Sequence, residues 1–480
     1  MGGQGTETEH IGPIAPARGA HAAEAVAEHR PIDSPSGLGR APASEVDAGA
    51  GRILGIAIPT LGVLIAEPLY LLYDLAVVGR LGALPLAGLA IGVLILGVVS
   101  TQLTFMTYGT TARAARKHGA GDDRGAVQEG VQASWIAIGA GLAIVAVVQV
   151  GAGWICAVVA GEPDSAEAAA RWLRIAVWGV PLILLTMAGN GWLRGVQRTR
   201  LPLAFVLAGE VVSAVLCPVL VHGWLGAPQL GLAGSAVANV AGQAVTGALF
   251  LSVLLRQQVS FAPHFGVMAA QLLLGRDLVL RSLSFQICFI SAGAVASRFG
   301  PDSVGAHQLV YQIWNFLAMF LDSLAIAAQT LTGAALGADD AEGAKRLAGR
   351  LTLWSTALAT VLALGFAAGH AVIPTWFVTD PGVLDRVHAI WWIFVCLIPI
   401  GGVVFALDGV LLGAGDAAYL RNITLAGGLL GYLPMIWLSL AFGWGVVGIW
   451  SGLATFIVAR CIAVLARAYS GRWARTGADV

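Results

Sequence analysis

The chain is 480 residues long, 57% hydrophobic and only 11% charged, with a mean hydropathy of +0.80. A soluble domain carries about 25% charged residues, so an ordinary globular protein is excluded. The 27 Lys and Arg balance 27 Asp and Glu; zero net charge offers no electrostatic footprint for nucleic acid.

Residues 1–50 are rich in Ala, Gly, Pro, Glu and His and hold no apolar run. They read as a disordered cytoplasmic tail and lack the order of a signal peptide. Beyond them, apolar runs long enough to cross a bilayer recur at roughly 53–78, 84–110, 126–150, 170–193, 201–222, 231–255, 278–299, 303–330, 351–377, 388–412, 420–441 and 445–468. The fold class is therefore an all-α integral membrane protein with twelve transmembrane helices. Gly and Pro inside the runs are tolerated where helices pack closely. The short alternating segments of a β-barrel are missing from the sequence.

The first span holds Glu67, Tyr70 and Asp74 at i, i+3 and i+7, on one helical face. A carboxylate at bilayer depth costs roughly 2.5–3.5 kcal/mol. A chain carries such a group when it is protonated, paired or wetted, all states that suit taking up and releasing an ion. Asp74 is the main ion-coupling candidate; the bland alternative is an acid that only ties helices together. Pro59 and Pro68 on the same span each remove a backbone bond and are candidate hinges. Asn190 in the fourth span is a partner for a protonated carboxyl. Glu210 in the fifth is placed facing Asp74, where two carboxylates would share a proton. The eighth span carries a polar stripe of His307, Gln308, Tyr311, Gln312, Asn315, Asp322 and Gln329. A stripe running through the bilayer must face protein or water. With Tyr70 and Asp408 of the tenth span, it is expected to line a substrate cavity, though Asp408 could equally be a structural cap. Asp122-Asp123 and Asp339-Asp340 read as solvated turns and helix starts.

The chain repeats itself. Arg80 and Arg298, Gly119 and Gly337, Pro181 and Pro399, and Gly191 and Gly409 are each 218 residues apart; by Gly231 and Gly445 the offset has drifted to 214. Two six-helix lobes, 51–260 and 261–470, thus run in parallel, related by a pseudo-two-fold axis along the membrane normal, with a basic cytoplasmic tail over 471–480. At offset 218, Asp74 falls on Ala292 and Glu67 on Phe285, so the first lobe alone carries these acids. Asn190 falls on Asp408.

With both termini cytoplasmic, only Arg80, Arg171, Arg174, Arg298 and Arg386 of the 27 basic residues lie outside, in keeping with the positive-inside rule. The basic stretch 467–475 is expected on anionic headgroups. The five cysteines read as small core residues. Trp154, Trp172, Trp224, Trp376, Trp444 and Trp473 read as interface anchors. No P-loop, metal-ligand spacing or nucleophile motif is present in the sequence, so ion-gradient energy is favoured over ATP and no cofactor is expected.

The block Pro59-Thr-Leu-Gly-Val-Leu-Ile-Ala-Glu-Pro-Leu-Tyr-Leu-Leu-Tyr-Asp-Leu-Ala-Val-Val-Gly-Arg-Leu-Gly82 resembles the first helix of multidrug and toxic compound extrusion (MATE) transporters, in the DinF-like branch. The stretches beginning at Arg113, Trp192 and Leu321 resemble the same family, and the likeness spans about residues 51–470. It implies two lobes around a V-shaped central cavity, and efflux of organic compounds in exchange for protons or sodium, with the branch leaning toward protons. It places the family's first-helix aspartate on Asp74 and its bending proline on Pro59. The function expected is a proton-coupled antiporter, with sodium the alternative ion, exporting organic or cationic compounds by alternating access. It would be a multi-pass, monomeric plasma-membrane protein that meets only lipid and a small organic substrate. A flippase for a lipid-linked precursor on the same fold is the alternative. It would want basic residues lining the cavity, and no basic residue is assigned to mid-membrane. A membrane-embedded transferase lacks its Asp-rich motif, so an enzyme is not expected.

Overall fold

The computed structural model describes residues 49–479; the tail expected over 1–50 lies outside them, except that Ala50 opens the first helix. Among the described residues there is no strand, and twelve helical spans are long and apolar enough to cross a membrane. The first lobe comprises α1 (Ala50–Gly79), α2 (Ala83–Gly119), α3 (Asp123–Val159), α4 (Pro163–Gly195), α5 (Arg200–His222) and α6 (Leu232–Leu255). The second comprises α7 (Phe265–Arg298), α8 (Pro301–Gly337), α9 (Ala341–Ala368), α10 (Pro381–Gly413), α11 (Ala417–Phe442) and α12 (Gly445–Ser470). The count agrees with expectation. Several helices extend past the apolar runs: α7 begins at Phe265, where the run is placed from 278, and α3 continues to Val159, where the run is placed to 150.

The repeat is visible in the contacts. Asp122 and Asp340 cap α3 and α9, accepting from the Gly125 and Gly343 backbone N–H at 2.8 and 2.7 Å. A Cβ at either glycine would press on the capping carboxylate and displace it from the cap. Gly191 of α4 lies against the Thr107 carbonyl of α2, and its mate Gly409 of α10 against the Ala325 carbonyl of α8. Repeated glycines thus let the same helix pairs touch backbone to backbone in both lobes.

Between lobes, Gly119 meets the Ala334 carbonyl and Gly337 meets the Arg116 carbonyl. These are one contact made twice, since 119 and 337, like 116 and 334, are 218 apart; the pseudo-two-fold axis passes between the ends of α2 and α8. The seam is sealed at the end bearing both helix-capping loops. Arg116, 1% exposed, donates to the Ala414 carbonyl (2.8 Å) and the Gly477 carbonyl (3.0 Å). Lys117 pairs with Asp479 at 2.6 Å. Lys117 holds the Asp479 carboxyl below the usual carboxylate range. This tether is present at neutral pH and is lost as pH falls through the acid's depressed pKa.

The C-terminal segment therefore does not simply lie on headgroups. Arg467 is bound to Asp416 (2.7 Å). Trp473, expected as an interface anchor, is 2% exposed within an apolar cluster drawn from α8, α9, α10 and α12, its indole donating to the Ala468 carbonyl. Because the seam has no spare room, Gly337→Leu should overpack the sealed end by about 1–3 kcal/mol. Spin labels at positions 124 and 342 are expected to move apart in that variant; an unchanged distance would show that the contact does not hold the lobes.

α1 stays one continuous helix through Pro59 and Pro68. The expected hinges are positions inside this one helix where a backbone hydrogen bond is missing. α2 is interrupted at Thr104, where Thr104 and Thr101 hydroxyls donate back to the Thr101 and Gly97 carbonyls. α11 contains a π-helical turn at Gly427–Tyr432.

Candidate functional site

Asp74 is 1% exposed inside the first lobe. The Ser235 hydroxyl of α6 donates to Oδ2 at 2.7 Å and the Cys217 thiol of α5 to Oδ1 at 3.1 Å. Trp172 of α4 donates in turn to Ser235 (3.3 Å). All three partners are neutral, so the acid is held by hydrogen bonds and not by a permanent cation. This arrangement corrects three expectations. Glu210 is not Asp74's partner. Trp172, 2% exposed, is part of the Asp74 network and no interface anchor. Cys217 is a hydrogen-bond partner and more than a filler. Trp154, Trp224, Trp376 and Trp444 are exposed, as anchors should be.

Two cavities open near the lobe interface, and Thr104 and Tyr108 of α2 line both. The first-lobe cavity, about 190 Å³, is lined by Glu67, Asn190, Arg194, Glu210 and Thr246. Glu67 is exposed to it, and the Asn190 Oδ1 is buried without a hydrogen-bond partner. The structure thus brings Glu67, Glu210 and Asn190 together, but apart from Asp74. Tyr70 is 5% exposed and lines neither cavity, so its placement in the substrate cavity is not upheld.

The second-lobe cavity, about 320 Å³, is lined by Asn315, Asp322, Gln329 and Asp408, as expected, and also by Arg281 and Arg460. The other half of the polar stripe fails. His307 is 6% exposed, stacked on Tyr311 and edge-on to Trp450 in the apolar core, and Gln308 is exposed outside the cavity. The stripe is split because α8 crosses from the packed core of its lobe to the lobe interface, so one face meets two environments.

Asp408 corrects a further expectation. It does not cap a helix. Its Oδ2 accepts from Arg281 of α7 and Arg460 of α12, each at 2.6 Å. Arg460 also lies over the Phe285 and Phe456 rings, at 5.1 and 5.6 Å. Asp322 accepts from the Tyr108 hydroxyl across the lobe interface at 2.7 Å, and Gln329 donates to the Tyr108 carbonyl at 2.6 Å. The expectation that no basic residue lines the cavity is therefore wrong for Arg194, Arg281 and Arg460. Arg194 and Arg281 sit next to the span ends read from sequence, and all three count there with the cytoplasmic positive charge. One signal was available: at the repeat offsets Arg281 and Arg460 fall on Val63 and Thr246, both neutral.

A buried bidentate pair also escaped notice. Arg113 of α2 donates to both Glu129 oxygens of α3 at 2.8 Å, and Gln271 of α7 donates to the same carboxylate at 2.6 Å.

These arrangements belong to a known class. The MatE family model matches residues 59–219 and 278–437. The chain belongs to the MatE family, whose members are membrane transporters and not enzymes. It is 30% identical over 440 residues to "Protein DETOXIFICATION 44, chloroplastic" of Arabidopsis thaliana, covering 87% of this chain and 82% of that one. It is 28% identical over 432 residues to "DNA damage-inducible protein F" of Escherichia coli strain K12, covering 86% and 90%. A crystal structure described as MATE in the bent conformation superposes with a TM-score of 0.80 at 18% identity, covering 88% of this chain and 94% of that one. The protein is a multi-pass membrane transporter of the multidrug efflux class, and these relatives lend no support to a lipid-linked flippase.

Proposed function

We propose that this protein is a proton-coupled antiporter that exports small organic compounds by alternating access. The observation that carries the reading is Asp74, a carboxyl sealed among neutral partners in one lobe, where its repeat mate is Ala292. A group so placed is costly when charged and unpaired, so gaining and losing a proton changes which packing is favoured. A cavity of about 270 Å³ lined by Tyr73, Val77, Arg80 and Pro218 lies at the end of α1 away from the seam; it is lined by the residues next to Asp74 and Cys217 in sequence and supports proton entry from that side. Positive-inside bias puts the seam and both termini in the cytoplasm, and a sealed seam then corresponds to an outward-facing state. Glu67, Glu210 and Asn190 serve as a second station for the ion, with Pro59 and Pro68 the places where α1 gives way. Sodium is the alternative ion, because hydroxyl, amide and carboxyl groups serve either.

The test is substrate flux by the purified protein in liposomes, with pH and sodium gradients imposed separately. Flux driven by a pH gradient alone is expected. Flux driven only by sodium would replace the ion, and flux indifferent to both would end the proposal. In the same liposomes Glu210→Gln should slow flux without abolishing its response to the pH gradient.

A further inference from the structure

The two cavities carry different charges at equivalent positions. Where the first-lobe cavity presents Val63, Glu67, Asn190 and Thr246, the second presents Arg281, Phe285, Asp408 and Arg460. Two cations thus share one carboxylate oxygen in the second lobe. The triad alone carries two positive charges against one negative. It is also incompletely satisfied: Arg281 Nε, Arg460 Nε and Asp408 Oδ1 are all buried without hydrogen-bond partners. A purely structural ion cluster gains only if its remaining donors are bonded. The three residues line a cavity of about 320 Å³ with Phe285, Phe289, Phe456 and Trp314 around it, while the unsatisfied atoms themselves lie covered behind its wall. Guanidinium groups are suited to carboxylates, and aromatic walls to a flat apolar body.

We infer that the second-lobe cavity is a binding site for organic carboxylates with an aromatic body, whose anionic group is received by Arg281 and Arg460 beside Asp408. Asp322, bound to Tyr108 on another wall of the cavity, limits the attraction, so the anion is drawn to the arginine end locally and not by the charge of the whole cavity. The use of this site for export rests on the transport reading above; occupancy does not.

Binding is therefore measured at equilibrium, with no gradient, on purified protein in lipid nanodiscs. The probe is 2-naphthoate, and the uncharged control is 2-naphthamide. The wild type should prefer the carboxylate by about tenfold or more. Arg281→Gln leaves Asp408 paired one to one with Arg460, and should erase the preference while the protein stays folded. Asp408→Asn, which copies Asn190 of the other lobe, removes the competing carboxylate and should tighten naphthoate binding by about tenfold. Equal binding of both probes to the wild type, or a preference that survives Arg281→Gln, would overturn the proposal. If Asp408→Asn unfolds in detergent, naphthoate should raise its unfolding temperature more than naphthamide does; equal effects would count against the site. Failure of gradient-driven flux with intact naphthoate binding would remove the antiport reading alone.

Discussion

Asp74→Asn is expected to abolish transport driven by a pH gradient while leaving the protein folded. The amide has the size of the carboxyl and can still meet Ser235 and Cys217, whose hydroxyl and thiol reorient to suit it. It cannot titrate. A gradient of one pH unit supplies about 1.4 kcal/mol per proton moved, and a membrane potential of 100 mV adds about 2.3 kcal/mol per charge. Without a titrating group at this position neither is coupled to the packing of the first lobe. In reconstituted liposomes the variant should show gradient-independent flux at background level and intact 2-naphthoate binding. Undiminished pH-driven flux would remove Asp74 from the coupling role and turn attention to Glu67 and Glu210.

The second large effect concerns stability. Arg113 and Glu129 form a bidentate pair with side chains 8% and 3% exposed. Removing one partner leaves a buried charge uncompensated, which costs about 3–5 kcal/mol. Arg113→Ala or Glu129→Ala should thus lower the thermal unfolding midpoint sharply in detergent. The repeat offers its own control. At offset 218 the pair becomes Leu331 and Leu347, which lie together in an apolar cluster. The double variant Arg113→Leu/Glu129→Leu copies that solution. It should recover all but about 1 kcal/mol, because Gln271 loses the carboxylate but keeps the Glu129 backbone carbonyl as acceptor at 3.0 Å. A double variant as unstable as either single one would show that the pair has a role beyond mutual neutralisation.

Much of the fold was legible along the chain. The offset of 218 identified Gly191 and Gly409 as equivalent before either was seen against a carbonyl, and Asp122 and Asp340 as helix starts before either was seen capping. The candidate site was read less well. Asp74 was found because an acid in an apolar run is costly unless it is protonated, paired or wetted. Glu210 was paired with the wrong partner, because two acids on different helices have no register in the sequence. Helical spacing drew the α8 stripe as one surface, but whether His307 or Asp322 meets water depends on which helices cover each turn.

By itself the sequence determined the membrane setting, the twelve spans, the doubled architecture and the asymmetry of acids between lobes. Hydropathy sums locally over about 20 residues, and a repeat offset is a property of the chain alone. The tertiary structure decided which polar groups meet. Ser235 lies 161 residues from Asp74 and Arg281 lies 127 from Asp408. Side chains so distant are joined only by how helices pack, and in hydrocarbon a polar group's role is set by the partner it finds there.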